Sequence, residues 1–248
     1  MKLSIIIPVF NEEKTIKLVL DKIASINLPC QKEIIVVDDG STDGTRKEIL
    51  RYIDIKKLRE KIKYIRHKIN QGKGAAVRNG VKMASGDYIL IQDADLEYNP
   101  EEIPKLLSVI LACPESVPDP GRVRSSLARM TKNIAVYGSR FKNKTAVIPL
   151  LYLWGNRFLT HLTNLLYGTR LTDMETGYKL LPTAFMKRIK LTSCHFDMEP
   201  EITAKLVKSG IKIIEVPISY KGRTHLSGKK LTFKDAFGAI ITLLRFRF

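Results

Sequence analysis

The chain has 248 residues, of which 44% are hydrophobic, so its length and composition suit a folded domain and exclude a disordered chain. Its 42 Lys and Arg against 25 Asp and Glu give a formal net charge of +17. This excess of positive charge predicts a polyanionic partner, which composition alone leaves open between nucleic acid, a phosphorylated ligand and an anionic membrane surface.

The cysteines and the apolar stretches predict where the protein works. Cys30, Cys113 and Cys194 are far apart, odd in number and form no Cys-x-x-Cys motif, which argues against a disulfide framework and favours a reducing cytosol. The first residues read as a strand and not as a signal peptide. Because no stretch reaches the roughly 18 uncharged apolar residues of a membrane span, we expect any membrane association to be peripheral.

The first half of the chain alternates between strand and helix patterns. Strands are predicted at 3–9, 33–39, 63–67 and 87–95. Helices are predicted around Ile16, Val19, Leu20 and Ile23, around Ile49, Leu50 and Ile53, over 74–84 and over 103–111. Nearly continuous apolar strands that alternate with helices predict an α/β fold with a mostly parallel central sheet flanked by helices.

The second half opens with the most irregular stretch, an expected loop or insertion near 113–133 with three prolines and a glycine. Later elements are a strand at 134–140, an aromatic and aliphatic segment at 148–168, a helix at 199–210, a strand at 211–220, a basic stretch at 221–230 and a last helix from about Phe233. The segment near 145–168 and the last helix have the aromatic, apolar and basic composition of a membrane interface. Core packing explains them about as well.

Two acidic clusters follow predicted strands. Asp38 and Asp39 end one strand, and Asp93, Asp95 and Glu97 occupy alternate positions at the end of another. Ligands bind beyond the carboxyl ends of such strands, so we expect the clusters to converge. Two interpretations of the second cluster stand about equal: a Mg²⁺ or Mn²⁺ site with oxygen ligands, or a capped turn before the helix that follows Asn99 and Pro100.

Two glycine-containing loops are candidates for nucleotide contacts. In VVDDGSTDGT, Ser41 or Asp43 is expected to cap the next helix, which leaves Asp39 free for a nucleobase N–H or a ribose hydroxyl. NQGKGAAVRNG lacks the spacing of a P-loop, although Lys73 and the amides of a helix start suit a phosphate. The sequence contains no Rossmann fingerprint, zinc pattern or nucleophile elbow.

Nine motifs occur in the order of a known family: IIIPVFNEE, IIVVDDGSTDGT, NQGKGAAVRNG, GDYILIQDADLEYNPEE, VYGSRF, GNRFLTHLTNLLYG, LTDMETGYKLLP, EPEITAKL and VPISYKGRTHLSGKKLTFKDAF. They resemble the polyprenyl-phosphate branch of glycosyltransferase family 2, which includes dolichol-phosphate mannose synthases. The match covers nearly the whole chain apart from about 113–133. It implies one GT-A domain over 1–248, a nucleotide-diphosphate sugar donor, a divalent cation and a lipid phosphate acceptor.

The resemblance also implies roles for residues on the donor side. It places Pro8, Phe10, Glu12 and Asp39 around the nucleoside and Asp93 near the ribose or the sugar; Asp95 and Glu97 become the metal ligands. The family usually has Tyr where this chain has Phe10, which keeps base stacking and loses a hydroxyl contact. Gln is also common in place of Glu97, whose extra charge should tighten metal binding.

The resemblance also implies that basic residues bind the acceptor phosphate. The candidate phosphate ligands are Arg140, Arg157, Arg223, Lys229 and Lys230. Arg suits bidentate phosphate recognition, while Lys acts as a point charge, and a solvated basic face is the alternative explanation. The family's basic motif is one residue longer here, as RTHLSGKKL.

The predicted reaction is direct attack of a polyprenyl phosphate oxygen on the anomeric carbon, with inversion, at the cytoplasmic membrane face. The expected catalytic residues are Asp95, Arg140 and Asp173, the last as a base if the acceptor is instead a saccharide hydroxyl. A non-catalytic membrane or nucleic-acid binding module is a further alternative, although no nucleic-acid motif is present. The sequence leaves open whether the donor is UDP- or GDP-linked, and it predicts no protein partner.

Overall fold

The computed structural model describes residues 1–56, 61–112, 134–143, 150–222 and 233–248. Its strands are β1 (Lys2–Val9), β2 (Gln31–Asp38), β3 (Ile62–Arg66), β4 (Tyr88–Ile91), β5 (Ile134–Ser139), β6 (Lys179–Pro182) and β7 (Lys212–Pro217). Its α-helices are α1 (Ile16–Ser25), α2 (Thr45–Ile55), α3 (Lys73–Met83), α4 (Ile103–Leu111), α5 (Leu150–Tyr167), α6 (Thr183–Arg188), α7 (Met198–Lys208) and α8 (Phe233–Arg247). In this part of the chain, none of the helices combines the length and apolar content that crossing a membrane requires.

The strands form one sheet in the order β3-β2-β1-β4-β6-β5-β7. β6 is antiparallel to both of its neighbours, and the other pairings are parallel, so the predicted mostly parallel sheet is confirmed. The sequence analysis did not predict β6 or α6. β6 has four residues and directly follows a loop, which gives too little pattern for period-two alternation to stand out.

Hydrophobic side chains cover both faces of the sheet. In β1, Leu3, Ile5 and Ile7 face one cluster while Ile6 faces the other, as the alternation of side chains along a strand requires. Helices α1, α2 and α4 pack on the first face, and α3, α6 and α7 pack on the second. The helix predicted around Ile49, Leu50 and Ile53 is α2, in which Ile49, Tyr52 and Ile53 are buried and Leu50 is 39% exposed.

The order of the strands also locates a crevice. β1 has β2 on one side and β4 on the other, so the chain reverses direction across the sheet between β1 and β4. Ligands bind at such a reversal, beyond the carboxyl ends of the strands. Because β6 runs antiparallel, it begins at the edge where β4 ends, which brings residues 173–179 to the same place.

Candidate active site

The loops after β1 and β2 are tied to each other at this edge. Asn11 has a left-handed backbone with φ of 53°, its Oδ1 accepts a hydrogen bond from Thr42 N at 2.9 Å, and its own N–H donates to Ser41 Oγ at 3.1 Å. Pro8 is buried within β1, and Phe10, which follows β1, is partly exposed. These two predicted nucleoside contacts therefore adjoin a loop whose shape is fixed.

Glu12 connects the starts of two helices. Its backbone N–H donates to Thr45 Oγ1 at 2.7 Å, and its carboxylate Oε2 accepts from Thr15 Oγ1 at 2.7 Å. Its carbonyl oxygen accepts from Ile16 N at 3.0 Å. The structure thus gives Glu12 a role in holding the loop, and its contact with a nucleoside stays a prediction.

Both carboxylate oxygens of Asp39 already have partners within the protein, whereas the sequence analysis expected the group to be free for a ligand. Its Oδ1 lies 2.6 Å from His67 Nδ1 and accepts from Gln71 N at 2.9 Å, while Oδ2 accepts from Gly72 N at 2.7 Å. His67 Nε2 lies 2.7 Å from the amide nitrogen of Asn79, which assigns the proton to Nδ1. Asp39 therefore uses both oxygens to shape the loop that leads into α3, and a role at a nucleoside stays a prediction.

Asp93 and Lys73, both predicted at the donor, form an ion pair. Lys73 Nζ lies 2.7 Å from Asp93 Oδ1 and 3.0 Å from Oδ2, and 3.5 Å from Glu199 Oε1. Burial opposes the charge of Lys73, but Asp93 and Glu199 hold its pKa above the ordinary value. Burial raises the pKa of Asp93 against the attraction of Lys73. This pairing reduces the repulsion among the closely spaced carboxylates at this edge of the sheet.

The segment with Asp95 and Glu97 is a turn and not extended chain, so the expected strand over 87–95 is wrong in its last four residues. β4 ends at Ile91, and Leu96 has a left-handed φ of 62°, which a branched side chain rarely adopts. Asp95 Oδ1 accepts from Glu97 N at 3.0 Å. The acids are thus presented by a strained turn, and the argument from alternate positions on a strand does not apply.

The interpretation as a capped turn is also correct for the residues that follow. Asn99 Oδ1 accepts from Glu101 N at 3.3 Å, and Pro100 begins a short 3-10 helix. This cap uses Asn99 and leaves Asp95 and Glu97 outside the helix start. The cap therefore does not involve Asp95 or Glu97, and their role as metal ligands stays a prediction.

The donor atoms at Asp95 and Glu97 fit a hard cation. Within the described residues, no three His, Cys, Asp or Glu side chains form a group that would enclose a metal by themselves. Mg²⁺ usually takes only one or two carboxylates and completes its shell with water and substrate phosphates, so two acids suffice. Tyr220 donates its hydroxyl hydrogen to Glu97 Oε2 and fixes the orientation of that carboxylate.

Three tyrosines connect this turn to the other side of the site. The ring of Tyr98 stacks on Tyr178 with centroids 5.4 Å apart and lies 5.1 Å from the ring of Tyr220. Tyr98 Oη accepts from Gly177 N at 2.9 Å. The guanidinium carbon of Arg140 lies 5.1 Å from the centroid of Tyr220. Tyr220 therefore contacts both a predicted metal ligand and a predicted acceptor ligand.

Arg140 and Asp173 form a buried bidentate pair. Nε and Nη2 of Arg140 each lie 2.7 Å from an oxygen of Asp173, and Arg140 N adds a third bond at 2.9 Å. Both oxygens of Asp173 are thus engaged with a cation, and its role as a general base stays a prediction. The Nε and Nη2 edge of Arg140 already holds a carboxylate, so a phosphate fork at this edge would have to replace Asp173.

Arg157 and Arg140 both lie close to the aromatic ring of Phe141. The guanidinium carbons of Arg140 and Arg157 lie 5.6 and 5.9 Å from the ring centroid of Phe141, and Arg157 is exposed. The other predicted acceptor residues, Arg223, Lys229 and Lys230, lie outside the described residues, as do 113–133 and the start of the segment near 145–168. Of the predicted phosphate ligands that are described, Arg157 has the more accessible charge.

Helices α5 and α8 pack together and expose apolar side chains beyond this site. Their contact includes Leu159, Ala239 and Leu243, and Tyr167 donates to the carbonyl oxygen of Leu243 at 2.7 Å. The large exposed side chains of the two helices form what we term the apolar face: Trp154, Phe158, Leu165, Phe237, Ile241, Leu244 and Phe248 at the end of α8. Arg157, Arg245 and Arg247 are exposed on the same helices.

Several residues of the site were missed by the sequence analysis. Tyr98, Tyr220, Lys179, Glu175 and Glu199 all contact or adjoin the predicted residues, yet none was assigned a role. All five stand inside quoted motifs, so the motifs themselves were the available signal. The motifs did not indicate their roles, because these depend on contacts between distant segments.

Comparison with known proteins agrees with this geometry. The family model for glycosyl transferase family 2 matches residues 4–175. A dolichol-phosphate mannosyltransferase from Pyrococcus furiosus is 38% identical over 237 residues, covering 93% of this chain and 61% of that protein. A dolichyl-phosphate beta-glucosyltransferase from Mus musculus is 31% identical over 245 residues, covering 93% and 69%.

Among solved structures, the fold is similar to glucosyl-3-phosphoglycerate synthase from Mycobacterium tuberculosis, crystallised with Mn²⁺, UDP and glucosyl-3-phosphoglycerate. The TM-score is 0.71 at 18% identity, with 99% of this chain and 79% of that one covered. At this identity the likeness concerns the fold, and it confirms the predicted GT-A architecture.

Proposed function

The chain belongs to glycosyltransferase family 2, and on that premise we propose that it transfers a sugar from a nucleoside diphosphate to a polyprenyl phosphate. The names of its relatives, a dolichol-phosphate mannosyltransferase and a dolichyl-phosphate glucosyltransferase, support this choice of acceptor. The observation that carries the proposal is the arrangement at the carboxyl edge of the sheet. Two carboxylates, Asp95 and Glu97, lie there with the cations Arg140 and Arg157, and Tyr220 connects the two sides.

The donor side is suited to a nucleoside diphosphate that gains negative charge as it departs. Mg²⁺ or Mn²⁺ bound by Asp95 and Glu97 would supply Lewis acid stabilisation to that diphosphate. Tyr220 keeps Glu97 in one orientation, and Lys73 balances the charge of the neighbouring Asp93. Pro8 and Phe10 border the crevice where the nucleoside would lie, and both UDP and GDP fit this description.

The acceptor side needs cations more than a base. A phosphate monoester oxygen is already ionised near neutral pH, so it attacks without losing a proton to the protein. Asp173 fixes the guanidinium of Arg140, and the exposed Arg157 offers its charge to the phosphate. The arrangement favours a phosphate over a saccharide hydroxyl, because Asp173, the base predicted for a hydroxyl, is held by Arg140.

A single displacement predicts inversion at the anomeric carbon. The phosphate oxygen would attack from the side opposite the departing diphosphate, forming the new C–O bond as the old one breaks. Proton NMR of the lipid product reports the anomeric configuration through its coupling constant. A retained anomer would contradict direct attack and would require a covalent intermediate on the protein.

The apolar face and its arginines support peripheral attachment to the cytoplasmic face of a membrane. Trp154 is 68% exposed and Phe158 is 58% exposed on α5, next to the exposed Arg157. Aromatic and basic side chains on one surface suit the boundary between headgroups and acyl chains. This surface would bring the acceptor phosphate, which projects from the membrane, to the arginines of the site. Free thiols at Cys30 and Cys194 agree with the cytoplasmic side.

The experiment that tests the function follows the sugar into lipid. Protein, Mn²⁺ and radiolabelled UDP-glucose or GDP-mannose are incubated with and without dolichyl or undecaprenyl phosphate. We expect label in the organic phase only when the lipid phosphate is present, and only for donors with the correct base and sugar. Label that accumulates on a water-soluble saccharide instead would contradict the proposed acceptor.

A further inference from the structure

The charges around residues 173–179 do not balance. Three cations of the site lie against three carboxylates: Lys73 pairs with Asp93 and also lies near Glu199, Lys179 pairs with Glu199, and Arg140 pairs with Asp173. Glu175 is a fourth carboxyl group, close enough to be influenced by the last two pairs. It has no cation of its own among them.

The cation nearest to Glu175 in the chain has no hydrogen left for it. Lys179 Nζ donates to the carbonyl oxygens of Met174, at 3.1 Å, and Thr176, and to Glu199 Oε2. An ammonium group has three hydrogens, so these bonds use all of them. Glu175 Oε1 is shielded from solvent and has no hydrogen-bond partner within the part of the chain that the structure describes.

The backbone on both sides of Glu175 is held in place. Lys179 binds the carbonyls of its two neighbours, Thr176 Oγ1 donates to Gly138 O at 2.6 Å, and Met174 N donates to Thr160 Oγ1 at 3.1 Å. These bonds fix the backbone that carries Glu175. A buried polar atom that stays unpaired in a fixed segment costs stability, and such atoms are uncommon outside functional sites.

Glu175 lies between the donor and the acceptor groups. On one side, a Cβ atom on Gly177 would come within 2.7 Å of Asp93 Oδ2 and 3.2 Å of Lys73 Nζ, so the segment lies directly against that ion pair. On the other side, two residues earlier, Asp173 binds Arg140. The transferred sugar passes between the diphosphate and the acceptor phosphate, which is the space that this segment borders.

We propose that Glu175 binds a hydroxyl group of the transferred sugar and makes the enzyme prefer a neutral sugar to a uronic acid. This assignment rests on the proposed function. A sugar hydroxyl would donate to the unpaired oxygen, whereas the carboxylate of a uronic acid would be repelled by a group that lacks a cation. Burial raises the pKa of Glu175 to about 7 despite the opposing charge of Lys179, so the carboxyl group can also donate to a hydroxyl near neutral pH.

The test compares Glu175→Gln and Glu175→Ala with wild type. We measure KM and kcat for UDP-glucose, UDP-glucuronate and GDP-mannose, the Kd of UDP and GDP alone, and Tm without ligand. For the donor that wild type prefers, we expect KM to rise about tenfold in Glu175→Ala, with the Kd of the free nucleotide unchanged. Tm should stay equal or rise in Glu175→Gln, because an unpaired charge is removed, and activity with the uronate relative to the neutral sugar should increase.

Glu201 provides a matched control in α7. It is fully buried, and its oxygens accept from Thr192 N at 2.9 Å and Ser193 N at 2.7 Å. Glu201→Gln should therefore lower Tm and leave the ratio of sugar-donor KM to nucleotide Kd unchanged. This difference separates a carboxylate that stabilises the fold from one that binds a ligand.

Three outcomes would overturn the proposal. If Glu175→Gln lowers Tm as Glu201→Gln does and does not change the KM-to-Kd ratio, Glu175 is structural. If kcat collapses at constant KM and transfer goes to a hydroxyl acceptor, Glu175 is a general base. If wild type uses UDP-glucuronate as well as UDP-glucose, the charge does not select the sugar. Failure of the proposed function is distinct, because wild type would then transfer no sugar to polyprenyl phosphate, which no variant of Glu175 is needed to detect.

Discussion

The two halves of the molecule treat their exposed apolar side chains differently. In residues 1–112, such side chains are scattered singly, as with Leu18 on α1 and Ile69 before α3. In the later half, they gather on the packed pair α5 and α8. Single exposed apolar residues are normal, whereas a contiguous group marks an interaction surface. The difference agrees with the proposed function, in which the first half would bind a water-soluble donor and the second an amphiphilic acceptor.

The largest expected effect lies on the donor side of this comparison. Asp95→Ala removes one of two carboxylates that fit a metal, so we expect kcat to fall by on the order of a thousandfold at every Mn²⁺ concentration. Steady-state transfer to polyprenyl phosphate measures it. Asp21→Ala, which removes an exposed acid paired with Lys17 on α1, is the matched control. Near-normal activity of Asp95→Ala would show that the acidic turn has only a structural role.

The next effect concerns the buried pair on the acceptor side. Asp173→Asn leaves the guanidinium of Arg140 without a charged partner, and we expect the free energy of unfolding to fall by about 3–5 kcal/mol. Urea denaturation measures this change. Replacing both residues, as Arg140→Met with Asp173→Leu, should recover much of the stability while transfer stays impaired. Recovery of transfer in the double variant would show that the pair is not part of the acceptor site.

A smaller effect is expected at the apolar face. Phe158→Ser removes a 58% exposed ring from α5, and we expect binding to anionic vesicles to weaken about tenfold, with less effect on donor binding. Leu18→Ser, at a 50% exposed position of α1, should change neither. Vesicle sedimentation at low and high salt gives both the apolar and the electrostatic contribution. Equal binding of wild type to neutral and anionic vesicles would contradict the role of the arginines.

The smallest effect is on the pH dependence of stability. The pKa of Glu175 is about 7 in the folded protein against an ordinary value of 4.5. Between these values the folded state holds a proton that the unfolded state has released, so stability falls as pH rises. From about pH 5 to about pH 7.5, we expect the Tm of wild type to fall more than that of Glu175→Gln. Parallel Tm curves for the two proteins would argue against a raised pKa.

The predictability of the molecule also differs between its halves. The βα units up to Leu111 were predicted because each helix and strand carries its own periodic pattern. β6 was missed because Lys179–Pro182 is too short to show one. The family motifs pointed to Asp95, Glu97 and Arg140 as candidate site residues. Nothing in the sequence indicated that the carboxylates of Asp39 and Asp173 accept hydrogen bonds from other residues of the protein. Partners that come from distant segments become visible only in the folded chain.

The reversed direction of β6 has a consequence for how the two substrates affect each other. Because this strand starts at the crevice, residues 173–179 lie close to both sides of the site. Asp173 binds Arg140, and Gly177 lies against the Asp93–Lys73 pair. A shift of this short segment on binding one substrate would alter the affinity for the second. Thermodynamic linkage then requires the effect to be reciprocal, so donor and acceptor should each change the other's affinity by the same factor.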